Sequence, residues 1–302
     1  MYTITLLENL RAVFYTPFYV AIDRGYFSDA GVDVQFIESP DPGDTLPRLL
    51  SGEIDVCWGG PLRVLRTYDQ DPNCGLVCFG EVVGRDPFLL VGRGFEAQFS
   101  LADLAGKRVS VVSEVPTPWI CLQQDLADAG VAIADIEVHT DRTMAANEAA
   151  LAAGDIDVFQ AFQPYVEQAV DRAGPANDTR ILYVAADRGP TAYTSFYTTK
   201  STLAKRQDEF GALAGACRRA VEAVYAEGGA GVVSTLRRFF PDEPPERLMA
   251  AVDRYIRHRL YNPTGVLSEP GFERLKQSMI TAGFITTGAA YADCVENSLM
   301  AP

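Results

Sequence analysis

Trp58-Gly59-Gly60 closes a short apolar run, and Arg63 follows one turn into the helix that Pro61 opens. Two glycines let a ligand approach backbone N–H groups, and a helix N-terminus favours an anion there. Arg63 would add a bidentate clamp on a carboxylate or sulfonate, and Trp58 a stacking surface. A loop after the first strand carries Arg11, Phe14 and Tyr15. Ser113-Glu114-Val115-Pro116-Thr117 precedes a helix bearing Trp119, and another strand end brings Gln160 and Phe162. Glu81 would pair with an amine or cation. Tyr193 lies in the aromatic-rich stretch Thr191 to Thr198. Each has an ordinary alternative. Trp58, Trp119 and Phe162 suit a core. Arg11 and Arg63 suit a solvated surface. Glu81 would satisfy a hinge hydrogen bond, and Thr117 an N-cap.

Covalent and metal chemistry have little support. His139 and His258 lack metal-ligand spacing, so no metal is expected. Gly92-Arg93-Gly94 followed by Ala97 is a very weak nucleotide-loop match, no P-loop or GxSxG elbow occurs, and no cofactor is expected. Asp155 and Asp157 are explained by strand-end capping. Cys57 beside Trp58 is the one nucleophile to test, against the simpler reading of a buried inert thiol. Cys74 and Cys78 are expected as two free thiols.

These residues hang on repeated elements. Leu49-Leu50-Ser51-Gly52-Glu53-Ile54-Asp55-Val56 is echoed by Leu151-Ala152-Ala153-Gly154-Asp155-Ile156-Asp157-Val158. Each spells a helix end, a glycine stop and a buried strand. Strands are expected at 2–7, 32–37, 77–83, 86–91, 109–112, 136–140 and 191–198. Helices are expected from Pro17 through Phe27, from Asp41-Pro42-Gly43-Asp44 to Gly52, from Thr117 to Gly130, and from Ser268 to Gly283. Apolar residues at helical spacing mark two more, at Phe210, Leu213, Ala214, Cys217, Val221 and Val224, and at Leu248, Val252, Tyr255 and Ile256. Alternating strands and helices signal a parallel α/β sheet, and the echo suggests two similar lobes. The 302 residues suit two domains. A net charge of −14 argues against nucleic acid as a partner. Met1 leads almost directly into a strand, without a visible signal peptide. The expectation is a trimmed leader or a cytoplasmic protein, and six scattered cysteines favour a reducing compartment.

Several phrases then carry a family resemblance. Gly25-Tyr26-Phe27, with Gly31-Val32-Asp33-Val34 after it, resembles the "GYF…GLDV" phrase of type II substrate-binding proteins. The similarity is to their nitrate/sulfonate/taurine and thiamine-pyrimidine-precursor branch. Ser100-Leu101 through Gly106-Lys107 and Gly52-Glu53-Ile54-Asp55-Val56 resemble two more of its phrases, and the likeness runs through essentially the whole chain. The resemblance implies a two-lobed periplasmic-binding-protein-like α/β fold of type II. Each lobe would be a mainly parallel five-stranded sheet flanked by helices, with the ligand cleft at the hinge. Lobe one would be 1–91 with 196–302, and lobe two 92–195. The implied function is a solute-binding protein of an ABC-type importer that traps a small aromatic, heterocyclic or anionic molecule by lobe closure. It would work as a monomer with an ABC permease, in the periplasm or membrane-associated outside the cytoplasm. The alternatives are a cytoplasmic enzyme on the same scaffold (pyrimidine-precursor synthase-like, desulfinase- or decarboxylase-like) and a ligand-sensing domain. The synthase-type relatives carry a cysteine cluster in the return strand and a histidine in the first loop. This chain has neither in those places.

Overall fold

The computed structural model describes residues 1–39, 42–173 and 178–300. Ten strands are present among them. In chain order they are β1 Tyr2–Glu8, β2 Val32–Glu38, β3 Val56–Gly59, β4 Leu76–Val83, β5 Leu89–Arg93, β6 Arg108–Ser110, β7 Glu137–His139, β8 Val158–Ala161, β9 Thr179–Val184 and β10 Thr194–Thr199. They form two five-stranded sheets, ordered β2-β1-β3-β10-β4 and β7-β6-β8-β5-β9. In the first, β1 pairs in parallel with β2 and β3, and β10 runs antiparallel to β3 and β4. The second repeats this pattern, with β6 parallel to β7 and β8, and β5 antiparallel to β8 and β9. Helices flank both sheets, so the expected fold class holds.

The chain divides into two compact units. One is Met1–Arg85, Gly189–Lys276 and Ile285–Pro302, and the other is Asp86–Arg188 with Gln277–Phe284. These limits differ from the expected 91/92 and 195/196. The run at 86–91 becomes β5, whose residues hydrogen-bond to β8 and β9 of the second sheet. An apolar strand buried on both faces does not announce which sheet it joins. Tyr193 falls in the first unit, where its N–H donates to the Val83 carbonyl.

In the first unit the helix Gln207–Phe239 packs against Thr16–Asp23 and Pro245–Arg257. Its periodic residues Phe210, Leu213, Ala214, Cys217, Val221 and Val224 are all buried. The helix expected from Pro17 to Phe27 is two, Thr16–Asp23 and Tyr26–Asp29. The helix Thr45–Leu50 follows a tight turn at Pro42–Asp44 without a side-chain cap from Asp44, and Asp41 lies outside the described residues. In the second unit Leu90, Leu104, Val109, Val111, Leu122 and Val158 form the core. The edge strand β9, half-buried at every residue, was not foreseen. Among the described residues no helix is long and apolar enough to cross a membrane.

The echo segments fold alike. Gly52 and Gly154 stop their helices with φ of 76° and 83°, the left-handed region that suits glycine. Asp55 then donates its N–H to the Thr5 carbonyl and accepts the Thr5 N–H on its carboxylate, at 3.1 and 2.8 Å. Asp157 makes the same pair of bonds with Arg108, at 2.9 and 2.9 Å. An aspartate just before β3 or β8 thus pins the neighbouring parallel strand in each unit, at Thr5 within β1 and at Arg108 where β6 begins.

Candidate functional site

The carboxyl ends of β1 and β3 gather most of the first-unit candidates. Glu8, 2% exposed, takes the Arg11 Nη2 at 2.9 Å and the Tyr19 hydroxyl at 2.6 Å. Burial pushes the Glu8 carboxyl up, and bonds from Arg11 and Tyr19 pull the other way. Arg11 also pairs with Glu38 and lies 5.5 Å from the centre of the Phe239 ring. Two carboxylates therefore neutralise Arg11, one of the expected ligand contacts. Phe14 and Tyr15 are buried in a tight turn, Phe14 edge-on to Tyr15 at 4.4 Å and to Tyr193 at 6.1 Å.

Trp58 is fully buried. Its ring stacks on Phe18 at 4.2 Å and on Phe36 at 5.3 Å, and meets Tyr15 at 5.8 Å. It is core, not a ligand platform. Gly59 is also spoken for: a Cβ there would stand 2.7 Å from Asn9 Nδ2, so the glycine makes room for Asn9. Gly60 accepts the Arg63 N–H at 3.1 Å, in the first turn of the helix Leu62–Gln70.

Arg63 behaves unlike Arg11. It is half-buried, and among the described residues no carboxylate lies within ion-pair distance of it. Its charge acts on Tyr15, Cys57 and Tyr197. All three titrate upward because of burial, and Arg63 opposes that rise in each. The Cys57 thiol is pushed up to about 12 by burial, with the Tyr197 hydroxyl and Arg63 resisting. A thiol held there is protonated at neutral pH and is a poor nucleophile.

Glu81, 3% exposed, sits near the end of β4 and faces a cavity of about 950 Å³ within the first unit. Asn262 Nδ2 donates to its Oε2 at 2.6 Å. Burial lifts the carboxyl to about 8, which Asn262 only partly offsets.

In the second unit, Ser113, Pro116, Trp119, Gln123, Thr140 and Phe284 help line a cavity of about 270 Å³. Trp119 is half-buried, one side against the core and the other on this cavity. Glu114 Oε1 accepts the Met144 N–H at 2.9 Å and so satisfies the first N–H of the helix Met144–Ala153, whose N-cap is Thr143. Thr117 is the first helical residue, not the N-cap; Pro116 takes that place. Gln160, 2% exposed, donates to the Pro118 carbonyl at 2.9 Å and fixes the start of this helix, while its Oε1 has no partner. Phe162 is buried edge-on to Phe88 at 5.2 Å and is core.

Sequence reasoning missed a buried ion network in this unit. Arg188 pairs with Asp86 at 2.9 Å and with Asp125, and the Tyr183 hydroxyl donates to Asp125 at 3.0 Å. Burial raises the Asp86 carboxyl to about 6 despite Arg188. Asp86 and Arg188 are 102 residues apart, and no local pattern joins them. Among the described residues no three His, Cys, Asp or Glu side chains group as a metal site, and every cysteine is a free thiol. Gly92 and Arg93 lie inside β5, and the next element is a short turn at Leu101–Leu104, which removes the nucleotide-loop context.

Known proteins can now be set beside this geometry. A Bacillus subtilis protein named "Putative binding protein YtlA" is 23% identical over 98% of this chain and 88% of its own length. The alkanesulfonate-binding protein SsuA of Xanthomonas axonopodis pv. citri, solved bound to MOPS, superposes with a TM-score of 0.72. It is 18% identical, with 99% of each chain covered. The desulfurization enzyme DSZB superposes at 0.68 with 14% identity, covering 99% of this chain and 98% of its own. At such identities the solved structures share the fold, a periplasmic-binding-protein fold that hosts binders and an enzyme alike. The NMT1/THI5-like family matches residues 13–228, well over half of the sequence, and the chain belongs to that family.

Proposed function

We propose that this chain is the solute-binding component of an ABC-type importer and takes up a small organic anion with an apolar or aromatic body. The observation that carries this reading is Arg63. It is a half-buried guanidinium at a helix start beyond β3, without a carboxylate partner among the described residues. A cation left unpaired at that depth is stabilised by an incoming anion. Trp119, on its cavity in the second unit, is proposed as the apolar contact, with capture by lobe closure as the resemblance implies. The sulfonate ligand of SsuA makes sulfonates the first class to try.

Calorimetric titration with MOPS, short alkanesulfonates, matched carboxylates and matched alcohols tests it. We expect anions to bind, alcohols not to, and Arg63→Ala to lose at least tenfold in affinity, about the worth of one charge-assisted bond. Equal binding of alcohols and anions would sink the reading. A permease partner and a place outside the cytoplasm follow from the same proposal. Pull-down with the membrane fraction and cell fractionation check them. The enzyme alternative loses support from the buried, protonated Cys57 thiol. Recovery of each ligand unchanged after incubation, by mass spectrometry, separates capture from turnover.

A further inference from the structure

The first unit holds a cavity whose chemistry is opposite to that of Arg63. We infer that the cavity facing Glu81 is a binding site for a primary amine with a compact apolar body, Glu81 being the counter-ion.

Four observations support this. The space, about 950 Å³, is of the size that takes small organic ligands. Its walls include Tyr225, Leu260, Tyr261 and Val266. Tyr225 and Tyr261 stand edge to face, centroids 6.1 Å apart at 79°, and the Tyr225 hydroxyl is spent on the Tyr261 carbonyl at 2.8 Å. Tyr225 therefore offers its ring rather than its hydroxyl, a surface that suits an ammonium group. Lastly, Glu81 is 3% exposed, and its one side-chain bond is from the neutral amide of Asn262.

Buried carboxylates are paired with cations or neutralised. Among the described residues no cation pairs with Glu81. The charged groups around the cavity are Arg85, Glu222 and Arg259. Glu222 is paired with Arg218 at 3.1 Å, and Arg85 and Arg259 act on Tyr225. None of them enters the balance that sets the Glu81 carboxyl, which is burial opposed by Asn262 alone. Cys78 and Tyr291 feel the Glu81 charge but stay neutral in this range. Without an amine Glu81 is largely protonated at neutral pH, and binding a cation expels that proton.

None of the cavity's lining residues belongs to the group around Arg63, so the inference is independent of the anion reading. Benzylamine, benzyl alcohol and benzoate are the probes, titrated into wild type, Glu81→Gln, Ala226→Phe and Arg63→Ala. We expect benzylamine to bind at least tenfold tighter than benzyl alcohol, and its affinity to rise on the order of 50-fold from pH 6 to pH 8 as Glu81 ionises. Glu81→Gln abolishes both the preference and the pH dependence. Ala226→Phe, which fills the cavity from the helix Gln207–Phe239, weakens benzylamine at least tenfold while leaving Glu81 in place. Arg63→Ala leaves benzylamine unchanged. Equal affinity for amine and alcohol, preference for benzoate, or amine binding untouched by either Glu81→Gln or Ala226→Phe overturns the inference. An amine lost in Arg63→Ala as well would overturn the independence of the two sites.

Discussion

The turns after β3 and β8 follow the same strand-end clamp and then diverge. Asp55 and Asp157 each hold a neighbouring strand by a two-way bond to one residue, Thr5 in the first unit and Arg108 in the second. Beyond the clamp, β3 ends in Trp58-Gly59, a packed aromatic core with Asn9 filling the space beside the glycine. β8 ends in Gln160-Ala161-Phe162, where a buried amide fixes the helix that carries Trp119 toward a cavity. The repeated part is therefore architecture. The divergent part decides which tryptophan is core and which faces open space.

The two tryptophans offer the sharpest break of that comparison. Trp58→Ala should cost about 3–5 kcal/mol, the range for emptying a large aromatic site. Urea denaturation measures it. Trp119→Ala should cost far less stability and about tenfold in ligand affinity. If Trp58→Ala is tolerated and blocks binding, the assignment of roles is reversed.

Next in size is the contrast between Glu81 and the partnered carboxyls. Its carboxyl is raised from 4.5 to about 8, so the folded state holds a proton the unfolded state has lost. Stability from this group is full below pH 4.5 and falls as pH rises through 8. The loss is on the order of 3–5 kcal/mol across that window. Glu81→Gln should flatten this fall, read as melting temperature against pH. A variant with the same slope as wild type would show that Glu81 does not titrate there.

Arg11 and Arg63 sharpen the distinction between a spent and an available cation. Arg11→Ala leaves Glu8 buried without its guanidinium and should destabilise by about 3 kcal/mol. Arg63→Ala should be nearly neutral for stability and harm anion binding alone. Thermal melts paired with titrations decide it, and a stability loss for Arg63→Ala equal to that for Arg11→Ala would merge the two roles.

The smallest effect tests the repeat itself. Asp55→Ala and Asp157→Ala should each cost about 1–2 kcal/mol and agree within about 1 kcal/mol. The Arg108 bond lowers the Asp157 carboxyl. Its contribution is present above pH 3.8 and is lost as pH falls through the lower folded value, so Asp157→Asn should blunt acid unfolding. One neutral and one damaging substitution would mean the echo is not a shared clamp.

Much of the framework was legible because it is local. Glycine stops and buried helix stripes at Phe210 to Val224 are set by backbone conformation and periodicity over a few residues, whereas Asp55 and Asp157 find their partners 50 and 49 residues away. The family phrases placed the α/β fold in the same way. The candidate site was legible only as a set of chain positions. Residue type and spacing name Arg11 and Arg63 as equals, and Trp58 and Trp119 as equals. What separates them is how distant segments fold onto each.

The sequence by itself determined two α/β units and the repeated glycine-stopped segments within them. Only the tertiary structure decided which side chains remain available. Glu8 and Glu38 converge on Arg11, Phe18 and Phe36 close on Trp58, and Asn9 fills the space beside Gly59. It also moved β5 into the second sheet and drew Asp86 to Arg188 across 102 residues. Charge pairing and close packing act at a few ångströms in space, whatever the separation along the chain, and a linear reading does not carry those distances.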